Sequence, residues 1–185
     1  MKRRSSRSLA LAALLVLAMA GRARADSWQL TDFESPAGKP ARGLVTDSSG
    51  EPRARLVIGC ESATADGWRG VAIRQDAAAT VSVAKAEVVI SFFGRAPVTQ
   101  QWQARTAAGQ LVLWPESGES VRRDLLREDS TRGEAAVTFE VRSDGRAPQK
   151  LVFALEGLSE RSSELAAACG GWGSATPAKR RERNW

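Results

Sequence analysis

The chain has 185 residues, 43% of them hydrophobic, with two cysteines, no histidine, no tyrosine and a formal net charge of +6. Without histidine the Ser-His-Asp triad, the Cys-His pair and the H-E-x-x-H zinc site are all excluded, and a tyrosine acid or nucleophile is excluded too. The positive charge does not mark a nucleic-acid binder: residues 1–25 hold six basic residues and no acid, and removing these from the 27 leaves 21 against 21 acids. A neutral chain offers no basic groove for a phosphate backbone.

The N-terminus reads as a secretory signal peptide over residues 1–25. Lys2, Arg3, Arg4 and Arg7 precede an apolar run from Leu9 to Ala20, and Ala23-Arg24-Ala25 supplies a small-residue cleavage site. Ala18-Met19-Ala20 offers a competing one. The run is shorter than the roughly 20 residues a membrane span needs, and no later stretch reads as a transmembrane segment. The expected location is the periplasm. Residues 26–172 read as one β-rich domain, and 173–185 as a basic, disordered tail with weak envelope contact at most.

Within the domain the pattern is mostly strand. "SWQLTDF" alternates around Trp28 and Leu30, "RGLVTD" follows a polar turn, and "RLVIGC" is a compact run expected to be buried on both faces. "WRGVAIRQ" alternates imperfectly. "ATVSVAKAEVVISFFG" alternates through Val81 and Val83, then turns apolar from Val88 to Phe93 but for Ser91. "VTQQWQAR" sets Val98 and Trp102 on one face with Gln100 between them in register, and "GQLVLWP" is entered through a glycine turn. "AAVTFEVR" and "QKLVFALEG" are joined by Ser143-Asp144-Gly145, where Asp-Gly supplies positive φ for a hairpin.

Two helices interrupt the strands. "SGESVRRDLLRED" places Val121, Leu125 and Leu126 at helical spacing. A second helix is expected from Ser159 as N-cap, with Glu160 in its first turn. Leu158, Leu165 and Cys169 share one of its faces, and Gly170-Gly171 ends it. In an exported chain two cysteines pair. With no histidine for a zinc site or as base to a catalytic thiol, Cys60 and Cys169 are expected to form a disulfide. Closing a loop of about 100 residues stabilises by about 4–5 kcal/mol in the chain-entropy model.

Few residues suggest catalysis. Ser82-Val83-Ala84-Lys85 spells S-x-x-K, but strand alternation puts Ser82 and Lys85 on opposite faces, and the companion motifs are absent. Glu128 and Asp129 are expected to be solvated rather than a carboxylate pair. Trp28, Trp68, Trp102 and Trp114 fall in strand-like segments as core residues, and Trp172 caps the core beside Cys169. The expectation is a non-enzymatic protein with no cofactor and no metal.

The segments "LVIGC", "VVISFFGRAPVTQQW", "VTFEV" and "LVFALEGLSERSSELAAACGGW" resemble the periplasmic accessory proteins associated with type VI secretion, the VasI or TagO-like group. The resemblance spans roughly residues 55–172 and aligns Cys60, Cys169 and Trp102 with that group's cysteines and central tryptophan. Thr99-Gln100-Gln101 depart from the basic and acidic residues usual there. The resemblance implies an accessory or adaptor protein whose partners are envelope or secretion-complex proteins. An exported protein with one disulfide, of the invasion-associated type, fits the composition nearly as well. The alternative function is a small exported inhibitor or a glycan- or lipid-binding protein, and the weakest is a carboxylate hydrolase. The fold expected throughout is mainly β: a sandwich-like single domain with a C-terminal helix held by one disulfide.

Overall fold

The computed structural model describes residues 27–61, 67–76, 84–107, 109–132, 135–143 and 147–172. The expected signal peptide, Ser82, the expected Asp144-Gly145 hairpin turn and the expected tail lie outside them. The chain runs β1 (Gln29–Glu34), β2 (Pro40–Asp47), β3 (Ala54–Glu61), β4 (Arg69–Asp76), β5 (Lys85–Phe92), β6 (Val98–Ala107), β7 (Gln110–Pro115), α1 (Gly118–Arg132), β8 (Ala136–Arg142), β9 (Gln149–Ala154) and α2 (Leu158–Ala168). Each strand-like segment read from the sequence contributes a strand, the part of "ATVSVAKAEVVISFFG" that holds Val81 and Val83 lying outside the described residues, and the fold is mainly β.

The strands form one nine-stranded antiparallel sheet in the order β1-β2-β3-β4-β7-β6-β5-β8-β9. The meander β5-β6-β7 is inserted in reverse, so β7 docks on β4 while β5 is left to receive β8. The sheet folds back on itself. Ser49 N–H donates to the Val152 carbonyl at 2.8 Å, and Gln75 Nε2 on β4 donates to Gln149 Oε1 at the start of β9 at 2.7 Å. The two halves thus face each other across one apolar interior, the sandwich-like arrangement expected when a sheet must bury one face.

Period-two alternation decides which residues enter that interior. Leu56, Ile73, Leu113 and Ala104 form one cross-strand row, and Ile90, Phe139 and Leu151 form another. Phe139 sits at the centre of an edge-to-face aromatic chain, 5.7 Å from Trp102 and 5.9 Å from Phe153 by ring centroids. Trp102 is fully buried, and its indole N–H donates to Gln100 Oε1 at 3.1 Å, so the residue in register beside it satisfies its polar edge. Trp28 is buried as well, whereas Trp68 and Trp114 are only half-buried.

β3 is buried on both faces, as its unbroken apolar run requires. On the face away from the main interior it carries Gly59, paired with Gly43 on β2 and Gly70 on β4. A Cβ on Gly59 would lie 2.6 Å from the Arg42 carbonyl oxygen and 2.8 Å from the Phe33 ring. Phe33 packs over the glycine row with its ring edge-on to Trp68, 6.0 Å between centroids.

The helices complete the core with Val121, Leu125 and Leu126 from α1 and Leu158 and Leu165 from α2. α1 lies against β4, and α2 against β2 and α1. Gly170 and Gly171, at φ 61° and 88°, stop α2 as expected. Its start differs from expectation. The N-cap position is Gly157, not Ser159, because Leu158 is drawn fully into the core and the helix begins with it. The capping group comes from the other helix: Asp129 Oδ2 accepts the Ser159 backbone N–H at 2.6 Å.

Candidate functional site

Cys60 and Cys169 form the disulfide, Sγ to Sγ 2.04 Å with Cα atoms 5.9 Å apart. Both are 1% exposed. Cys169 enters the core on the side of Leu165, and the bond ties the C-terminal end of α2 to the end of β3. Trp172 follows, packed against the core, with the Arg122 guanidinium 5.2 Å from its ring centroid. Arg122 in turn donates to Glu119 Oε1 at 2.6 Å and Oε2 at 3.0 Å. That hydrogen bond, opposed by partial burial, holds the Glu119 carboxyl below its ordinary value. The staple region is closed and inward-facing.

Glu128 and Asp129, expected in solvent, are instead 4% and 8% exposed. The reason is that each serves a neighbouring element. Asp129 caps α2, and Glu128 lies 3.7 Å from Arg95 in the β5–β6 turn. Arg95 also reaches Asp124 at 3.5 Å, and its guanidinium lies 4.9 Å from the centroid of the Phe92 ring. This pinned turn, closed by Arg95 N–H donating to the Phe92 carbonyl at 3.2 Å, presents Phe93 outward at 82% exposure. The apolar run Val88 to Phe93 is therefore not a two-sided buried strand: Val88, Ile90 and Phe92 point in, Val89 and Ser91 are half-buried, and Phe93 leaves the sheet altogether. Val98, across the same hairpin end, is 43% exposed, unlike its face-mate Trp102.

A second surface lies on the outer face of β3, β4, β7 and β6. Register sets Asp47, Arg55, Arg74, Val112 and Arg105 in one row across five strands. Arg74 Nη1 donates to the Glu34 carbonyl at 2.7 Å and its Nε to Gln110 Oε1 at 3.0 Å. Arg105 Nη2 reaches Glu34 Oε1 at 3.3 Å and the Ser35 carbonyl at 3.2 Å. These contacts fold the end of β1 over the sheet. Beneath it Ser35 Oγ donates to the buried Glu61 carboxylate at 2.6 Å. Burial lowers the Arg74 pKa, Arg55 and Arg105 push the same way, and Glu34 opposes them. A groove of about 400 Å³ opens beside Arg55 and Arg74.

Neither surface is marked in the sequence, which assigns no binding face. Of the S-x-x-K pair, Lys85 opens β5 and is exposed, while Ser82 is outside the described residues. Among the described residues no group of three or more Cys, Asp or Glu is placed to hold a metal, and no helix is long and apolar enough to cross a membrane. The fold and its clamp define a mainly β, disulfide-stapled domain. No protein-family model, curated protein or solved structure matches the chain.

Proposed function

We propose that the chain is an exported envelope protein that works by protein contact, an accessory or adaptor of a secretion machine or similar complex. The observation that carries the reading is Phe93: a large aromatic at 82% exposure on a turn fastened from behind by Arg95 to Asp124 and Glu128. Aromatic side chains, Phe among them, are enriched at protein interfaces, where they bury a large area at small conformational cost. Val98, at the start of the next strand, is a second exposed apolar side chain of the same hairpin. The buried Cys60–Cys169 bond suits an oxidising compartment, where such bonds persist. The resemblance to type VI accessory proteins makes envelope subunits of that machine the first partners to test.

The test is a photo-crosslinking amino acid placed at Phe93, or at the exposed Glu51 of the β2–β3 turn as control, in a chromosomal copy in the native host. A discrete envelope protein captured at position 93 and not at 51 is the expected result. Equal capture at both positions, or none at 93 from a stably produced protein, overturns the contact reading.

A further inference from the structure

The arginine row carries a separate inference. β3 and β4 place Arg55 directly opposite Arg74, and like charges in that relation weaken a ladder. Arg55 has Asp47 at 3.4 Å on its outer side, and Arg105 has Glu34 at 3.3 Å. Arg74, between them, is served only by neutral acceptors, the Glu34 carbonyl and the Gln110 amide, with no carboxylate within ion-pair distance among the described residues. A half-buried guanidinium with no carboxylate in direct ion-pair contact, flanked by two more and offset by Glu34 only at longer range, is an electropositive point.

The groove opens at that point. It is lined by Arg53, Arg55 and Arg74 against two carboxylates, Asp47 and Asp76, so its walls carry one net positive charge. It joins a shallower recess of about 250 Å³ bounded by Asp32, Phe33 and Glu34, the two sharing Arg55, Arg74 and Gln110, so the positive excess is confined to the end of the groove beside Arg53, Arg55 and Arg74. Gln110 is oriented by both neighbours, accepting from Arg74 and donating to Asp76 Oδ1 at 3.2 Å. Pockets for small ligands start at roughly 300 Å³. We infer that this groove binds a small monocarboxylate with a polar, hydrogen-bonding body, its carboxylate held by Arg55 and Arg74 and its hydroxyl or amide groups by Asp47 and Asp76. Arginine presents a planar donor fork that matches a carboxylate. A dianion is disfavoured by the two acidic walls, and a neutral ligand leaves Arg74 uncompensated. The body is that of an acidic sugar or a short peptide ending in a free carboxylate, and either fits the outer surface of this domain without involving Phe93.

The experiment is isothermal titration of the intact protein with four probes: sodium glucuronate, glucose, acetyl-dialanine and inorganic phosphate. Binding of glucuronate or acetyl-dialanine, with glucose silent and phosphate weaker, is expected, and the tighter of the two carboxylates identifies the body. Arg55→Ala, at an exposed side chain, is expected to weaken that binding about tenfold with an unchanged melting curve. Arg74→Gln is expected to abolish it. The inference is overturned if neither carboxylate binds below about 10 mM, if phosphate or glucose binds as tightly, or if Arg55→Ala binds like the parent. These outcomes are independent of crosslinking at Phe93, so either reading can fail alone.

Discussion

Removing the disulfide by the double substitution Cys60→Ala and Cys169→Ala tests what holds α2 in place. The bonded residues are 109 apart in sequence. In the chain-entropy model, restoring that freedom to the unfolded chain costs about 5 kcal/mol of stability, and measured losses for native disulfides run at about 2–5 kcal/mol. The two side chains are 1% exposed, so the substitution also leaves two small voids where the sulfurs packed, which works in the same direction. For a domain of this size each kcal/mol moves the melting temperature by about 2–4 °C, so a fall on the order of 10 °C is expected. Guanidinium unfolding followed by tryptophan fluorescence reads it directly, with the parent protein in dithiothreitol as a second route to the open state. Loss of less than about 1 kcal/mol by both routes would refute the view that this bond clamps the last helix to β3.

Other substitutions probe the remaining supports. Phe139→Ala removes the centre of the Trp102–Phe139–Phe153 chain, and denaturant melts are expected to show a loss of about 3–5 kcal/mol. Asp129→Ala takes away the carboxylate on the Ser159 N–H and should cost about 1–2 kcal/mol, with Asp129→Asn costing less because the amide oxygen still accepts. Gly59→Ala drives a Cβ into the Arg42 carbonyl and the Phe33 ring, and a destabilisation of about 1–3 kcal/mol is expected in the same melts. Because the Glu119 pKa is depressed in the fold, the unfolded chain binds the proton more readily. Its contribution is therefore present above the ordinary value of 4.5 and is lost as pH falls through the lowered folded value. Glu119→Gln should flatten that part of an acid titration followed by melting temperature.

Local chemistry made the strands and the clamp readable. "RLVIGC" has no polar position between Leu56 and Cys60 and is buried on both faces. Leu158, Leu165 and Cys169 recur at helical spacing and reach the core together. The capping of α2 was not readable, because its acceptor, Asp129, lies thirty residues upstream and meets Ser159 only once the two helices pack. The same holds for Glu128 and Arg95, which look like ordinary surface charges until the β5–β6 turn docks on α1. The arginine row depends on register across β3, β4, β7 and β6, and β4 meets β7 only after β5 and β6 have been passed over. Pairing between distant strands leaves no local signature. Phe93 was visible as part of an apolar run, but a run cannot distinguish a final inward residue from one thrown outward by a glycine turn at φ 72°.

The measurement that bears most directly on the account is the redox state of Cys60 and Cys169 in living cells. Cells of the native host are quenched in acid, and the denatured protein is treated with a mass-tagging maleimide with and without prior reduction. Export to an oxidising compartment predicts that both thiols resist the tag until dithiothreitol is added, in protein released with the periplasmic fraction. Two freely tagged thiols in protein that stays with the cytosol would contradict the proposed export, and with it the contact role assigned to Phe93.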